Sequence, residues 1–253
     1  MSNHISVEIN ESFAQFTILS NGEVLNTISG DINGRTDLER KESLNELYKS
    51  IPESYLTDVE LTLAWVDRNS TLVPNFVLND SDSKAVYKLC FGETNTDFDV
   101  DYNRISELSV VNIYQIPSWI KSFFVIKFPR VIIQHAGTHI VRQSIDKDAF
   151  YLKINIVGFN DFFQMAIVKH NQLLFYSQFD YKTSEDVIYH LSFVLQQKEL
   201  LNEKGSLHLI NGIDSENFKS DSILEMAEKI KDLSQLKIIK SKEFMAKSQL
   251  LCV

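Results

Sequence analysis

From residue 149 the chain reads AFYLKINIVG, then DFFQMAIVKH (161–170), an Asn171 turn, and QLLFYSQFDY (172–181). Three strand-like runs are followed by a helical stretch over 183–198 and a further strand, SLHLING, from 206. The same order occurs earlier: HISVEIN (4–10), SFAQFTILS (12–20), an Asn21-Gly22 turn, EVLNTIS (23–29), a helical stretch, and VELTLAWV (59–66). Apolar residues that alternate, or run together over a few positions between turn signals, mark strands. Two copies of β-β-β-α-β predict an α/β protein of two lobes with a cleft between them.

The punctuation between these runs supports the reading. Asn21-Gly22 suits a tight hairpin because both residues tolerate positive φ. Thr36 with Glu39, and Thr183 with Asp186, are capping-box patterns that start helices. Leu44, Leu47, Tyr48 and Ile51 fall on one face of the first helix, and Pro52 stops it. Asp80 to Ser83 precedes a helix whose apolar face holds Ala85, Val86, Leu89 and Cys90, so Cys90 is expected to be buried. After a polar loop at 92–99, strands are expected near 98–104 and 108–115. Pro117 suits the first turn of a helix that buries Trp119, Ile120, Phe123 and Phe124, and Pro129 ends it before the strand VIIQH. A linking helix is expected over 137–146, with Asp146-Lys147-Asp148 dividing the lobes into 1–146 and 147–253. Val187, Ile188, Leu191, Val194 and Leu195 form a helical stripe. A helix over 220–233, with Ser222 and Glu225 near its start, a strand LKIIK (236–240) and a last docked turn complete the chain.

Composition bounds the function. The 253 residues suffice for one large domain or two small ones. A net charge of −9 repels phosphate backbones, so nucleic acid is not an expected partner. Cys90 and Cys252 lie far apart with no metal-type spacing, which points to free thiols in a reducing compartment. The start MSNHISVEINE has no signal-peptide pattern and no run of 18 apolar residues occurs, so a cytoplasmic protein without membrane insertion is expected.

The order of elements resembles the actin-like ATPase fold, a ribonuclease-H-like architecture in which each lobe opens with a three-strand antiparallel meander. More narrowly, the chain resembles an uncharacterised bacterial family of similar length. The segment NIYQIPSWIKSFFVIKFPRVIIQHAGTHIV (112–141) carries this best, and it is also similar to the strand–helix–strand that closes the first lobe of pilus-assembly ATPase-like proteins. The resemblance implies a nucleotide site at the turn between the first two strands of each lobe, where the family has Asp-x-Gly. The acid positions metal or water, and the glycine lets backbone N–H groups approach phosphate.

Here the first turn reads Glu8-Ile9-Asn10-Glu11-Ser12, with neither Asp nor Gly, and the second reads Asn155-Ile156-Val157-Gly158. Leu209-Ile210-Asn211-Gly212 is the one feature similar to the family's adenosine loop. The cleft positions are therefore Asn10, Asn155, Gly158, Asn211 and Gly212, with no catalytic residue and no metal ligand assigned. The expected function is a non-catalytic binding or scaffold protein with a protein partner and no cofactor. The alternative is an ATPase or kinase with a divergent site, which would bind ATP or ADP with magnesium and draw its carboxylates from Glu8, Asp161 and Asp214.

Other constellations have simpler readings. His135 and His139 share a helical spacing, but Gly137 lies between them, and a strand-end His beside a helix-start His explains the pair better than zinc. Asp99 and Asp101 alternate with Val100 in a strand, where they could present two carboxylates on one face, and an exposed strand face explains them equally well. The basic residues Lys121, Lys127 and Arg130 stand outward on a core-facing helix. No serine occupies a Gly-x-Ser-x-Gly elbow.

Overall fold

The computed structural model describes residues 3–56, 59–80, 82–94, 96–145, 151–230, 233–241 and 244–250. Among them the chain divides into two compact units. One holds the residues up to His139 and the stretch from Met245; the other holds Ile140 to Phe244. The boundary expected at Asp146-Lys147-Asp148 lies outside the described residues, as does Cys252.

The first unit opens with β1 (Asn3–Ile9), β2 (Phe13–Ser20) and β3 (Glu23–Asp31), an antiparallel meander. Asn21 and Gly22 turn the hairpin at φ 52° and 79°, the left-handed pair the tight turn requires. Helix α1 (Asp37–Lys49) starts at a reciprocal Thr36–Glu39 capping box. It leads to β4 (Glu60–Trp65), which lies parallel to β1. Then come β5 (Ser70–Pro74), the short α2 (Val77–Asp80), α3 (Ser83–Phe91), β6 (Phe98–Ile105), β7 (Val110–Pro117), α4 (Ser118–Lys127), β8 (Ile132–His135) and the start of α5 (Ala136–Ser144), whose residues from Ile140 belong to the other unit. The main sheet runs β3-β2-β1-β4-β8, and β5-β7-β6 form a separate three-stranded sheet. Alternation sends Ile5, Val7 and Ile9 into a core shared with Phe16, Leu63, Trp65, Ile120 and Phe124. At roughly 1.5–3 kcal/mol per fully buried large apolar side chain, this core is the main source of the unit's stability.

The second unit repeats the frame. Strands β9 (Leu152–Gly158), β10 (Phe162–Lys169) and β11 (Gln172–Asp180) form the meander. Helix α6 (Ser184–Gln197) starts at a Thr183–Asp186 capping box, and β12 (Gly205–Asn211) lies parallel to β9. Helix α7 (Ser220–Lys229) and β13 (Leu236–Ser241) follow, giving the order β11-β10-β9-β12-β13. The repetition extends to irregularities: each hairpin carries a register shift near its turn, at Ile18/Leu19 and Ile167/Val168. Helix α8 (Phe244–Gln249) buries Met245, Ala246, Ser248 and Gln249. From Met245 on it belongs to the first unit and is held there through polar groups: Ser6 Oγ donates to the Ala246 carbonyl at 3.2 Å and Thr62 Oγ1 to Gln249 Oε1 at 2.8 Å.

Two local expectations are corrected. Cys90 is exposed, and Leu89 beside it is 86% exposed. Helix α3 buries Val86 and Tyr87 against Val111 and Ile113, and this small core, built on a three-stranded sheet, covers a single turn of the helix. Helix α7 begins at Ser220 as expected, with Ser222 and Glu225 in its first two turns, although no side chain caps it. Pro117 ends β7 and occupies the cap position of α4 rather than its first turn.

Candidate functional site

In α/β sheets ligands bind outside the carboxyl ends of the parallel strands. Each unit has such an end, at β1/β4 and at β9/β12.

In the second unit, Gly158 ends β9 and stands in register with Asn211, the last residue of β12; the Gly212 N–H donates to the Gly158 carbonyl at 2.9 Å. Gly158, Asn211 and Gly212 are thus brought together. The space beside them is filled. A β-carbon on Gly158 would lie 2.0 Å from the Phe218 ring, and one on Gly212 would lie 2.5 Å from the Phe159 ring. Phe159 stacks on Phe162 at 4.8 Å, Phe218 meets Tyr181 edge-on at 5.9 Å, and the Tyr181 hydroxyl donates to the Phe159 carbonyl at 2.5 Å. The lack of side chains on both glycines admits rings. Asn211 Nδ2 makes two long bonds, to Ser215 Oγ and the Phe218 carbonyl, both at 3.4 Å. Asn155 is not part of this group. It lies three residues back on β9, so it faces the opposite side of the sheet. There its Nδ2 donates to Ser144 Oγ at 2.6 Å, while its buried Oδ1 has no hydrogen-bond partner among the described residues.

Asn10 belongs to the first unit. Its Oδ1 accepts from the Ser12 N–H at 2.8 Å, the Phe13 N–H at 2.7 Å and Ser12 Oγ at 3.1 Å. This is the Asx-type closure expected of Asn in a turn. It uses the backbone donors that a phosphate would need. Glu8 is not in the turn. It lies within β1, buried beside Gln15 and Ala64, and burial pushes its carboxyl up to about 7. Asp67, just beyond β4, is also raised, first by burial, with the Glu11 charge adding to the effect. Asp161 and Asp214, the other carboxylates of the alternative reading, sit in turns of the second unit.

Sequence reasoning missed a buried polar knot in the first unit. Asn103 Oδ1 accepts from the His135 N–H at 2.8 Å and from Thr138 Oγ1 at 3.1 Å, and Asn112 Nδ2 donates to Thr138 Oγ1 at 3.1 Å. His135 accepts from the Gly137 N–H at Nδ1 (3.0 Å), which leaves Nε2 to donate to the Asp67 carbonyl at 2.9 Å. Burial pushes this imidazole down to about 4, so it is neutral and fully engaged. The knot ties β6 and β7 to the start of α5. Asn112, His135 and Thr138 fall within the 112–141 segment, whose polar residues were the available signal, while Asn103 comes from β6 and the Asp67 carbonyl from beyond β4. Among the described residues no cluster of His, Cys, Asp or Glu could hold a metal, and no helix is long and apolar enough to cross a membrane. Lys121 pairs with Asp101 at 2.8 Å, and Lys127 lies 4.4 Å from the centroid of the Tyr48 ring.

Two units that each pair a three-strand meander with parallel strands and helices define an actin-like ATPase fold, and comparison with solved structures agrees. A Bacteroides thetaiotaomicron protein with actin-like ATPase fold and unknown function aligns over all of this chain and 96% of its own, at 17% identity and a TM-score of 0.74. The PilM–PilN type IV pilus biogenesis complex aligns over 98% of both chains at 9% identity and a TM-score of 0.60. The ethanolamine utilization protein EutJ from Carboxydothermus hydrogenoformans aligns over 99% of this chain and 88% of its own at 6% identity and a TM-score of 0.53. A search of curated proteins finds no match. The chain belongs to the family of proteins of unknown function DUF3822, whose model matches residues 2–230.

Proposed function

We propose that this chain is a non-catalytic binding or scaffold protein that holds another protein on an actin-like frame and uses no nucleotide. The observation that carries this reading is the occupation of the second unit's strand ends by Phe218 and Phe159, against Gly158 and Gly212. Phosphoryl transfer needs backbone donors on the phosphates and an acid that positions metal or water. Rings at the glycines weigh against the first in one unit, and Asn10 engages the corresponding donors in the other. PilM is found in complex with PilN, which supports a protein as the partner class.

A second reading, a nucleotide-dependent ATPase or kinase with a divergent site, is favoured by Glu8 and Asp67, two burial-raised carboxyls near the ends of adjacent strands. Melting the protein with millimolar ATP or ADP plus magnesium separates the two. A ligand at a hundredfold excess over its Kd stabilises the folded state by about 2.7 kcal/mol, a shift of several degrees. The scaffold reading expects no shift and no phosphate release; a shift accompanied by phosphate release would establish the second. Affinity capture from the native host is expected to yield a stoichiometric protein that stays bound with or without ATP.

A further inference from the structure

The second unit carries a basic cavity away from the glycine end. Strands β9, β12 and β13 run parallel, and their register sets Ser206 beside Lys153 on one side and Lys237 on the other. Leu152, Ile154, Leu207, Leu209, Leu236 and Ile238 take the face that packs on the core. Because side chains alternate, Lys153, Ser206, His208 and Lys237 share the opposite face. With neighbouring strands about 4.8 Å apart, the two lysines flank Ser206 in one lateral row.

This row lines a cavity of about 640 Å³ that also takes in Tyr151, Lys204 and Gln235. That volume lies within the range of small-molecule sites, roughly 300–1,000 Å³. Three lysines and one histidine line it and, among the described residues, no Asp or Glu does, in a chain with 34 acidic against 25 basic residues. Gathering three ammonium groups costs energy that an anion would relieve. Lys153 Nζ is steadied by the Gln143 carbonyl at 3.2 Å. His208 Nε2 lies 2.9 Å from Ser206 Oγ, and burial, followed by the Lys153 charge, holds its pKa below the ordinary value. The neutral ring and the hydroxyl add polar contacts without more charge. Tyr151, 70% exposed, supplies an aromatic wall.

We propose that this cavity binds a small organic anion, a phosphate monoester or a carboxylate, with its acid group on the Lys153–Ser206–Lys237 row and its apolar body against Tyr151. The test is isothermal titration of the full chain at low ionic strength with phenyl phosphate, benzoate and inorganic phosphate. Saturable one-site binding is expected for at least one organic probe, and the tighter of the two identifies the acid group. Inorganic phosphate is expected to bind more weakly than the tighter organic probe. Lys237→Ala and Lys204→Ala, both at exposed positions and checked for an unchanged melt, should each weaken binding about tenfold, the scale of one charge-assisted hydrogen bond. Lys49→Ala, which removes a cation from α1 of the other unit, should leave binding unchanged. No saturable binding of either organic probe would overturn the proposal. So would equal losses in all three variants, or inorganic phosphate binding as tightly as the organic anions.

Discussion

After β1 the chain turns around a polar side chain, Asn10; after β9 it turns against packed rings, Phe159 and Phe218. The two turns occupy the same place in frames that agree in strand order, capping boxes and even the register shift of the hairpin. Their chemistry nevertheless differs. In the first unit the strand ends keep raised carboxyls and a neutral histidine near the turn; in the second they are apolar and closed. A shared backbone therefore does not preserve a shared site. What fills the strand ends is set by side chains arriving from elsewhere in the chain.

The contrast can be broken most forcefully at Phe218. Replacing it with Ala should cost about 3–5 kcal/mol, as for other buried aromatics. Both tryptophans, Trp65 and Trp119, lie in the first unit, so their fluorescence in urea reports on that unit, while hydrogen exchange at β9 and β12 reports on the other. The loss should appear in the exchange rates; a change below about 1 kcal/mol there would mean the ring is not packed as described. Gly158→Ala should be much less harmful once Phe218 is Ala, because the two positions share one space.

A second experiment sharpens the difference through pH. Glu8 holds its proton up to about 7 when folded and near 4.5 when unfolded. Its contribution is present below pH 4.5 and is lost as pH rises through 7, a change of about 3 kcal/mol. Glu8→Gln removes it, so the stability difference, wild type minus variant, should fall across pH 4.5–7 in tryptophan-monitored unfolding. A flat difference would refute the burial of that carboxyl. His135 acts with the opposite sign: held near 4 when folded, it withdraws stability as pH falls below 6.5, a slope the Glu8 variant leaves exposed.

Smaller effects separate the turns themselves. Asn10→Ala frees two backbone N–H groups and should cost about 1 kcal/mol in the fluorescence transition, as loss of a cap does. Asn211→Ala removes only two 3.4 Å contacts and should stay within about 0.5 kcal/mol by hydrogen exchange at β12. A larger loss at Asn211 than at Asn10 would reverse the assignment of the polar turn to the first unit.

Much of the frame was readable along the chain. Asn21-Gly22, the Thr36 and Thr183 boxes and the Trp119–Phe124 face all rest on interactions within four residues, so spacing exposes them. The site was less readable. Gly158 and Gly212 stood out as residues without side chains, but phosphate and phenyl rings require the same absence. Cys90 followed a regular apolar stripe, yet the sheet beneath α3 is too small to cover it. The polar knot around His135 escaped notice because Asn103, Asn112 and Thr138 converge from three separate elements.

By itself the sequence determined the two meanders with their turns and caps, since each depends on near neighbours and on period, and it set the net negative charge by composition. The tertiary structure alone decided that Phe218, 60 positions beyond Gly158, closes the second turn, that Glu8 lies inside a sheet, and that Lys153 and Lys237 flank one serine. Those outcomes depend on strand register and on volume, and neither quantity is recorded in the spacing of residues along the chain.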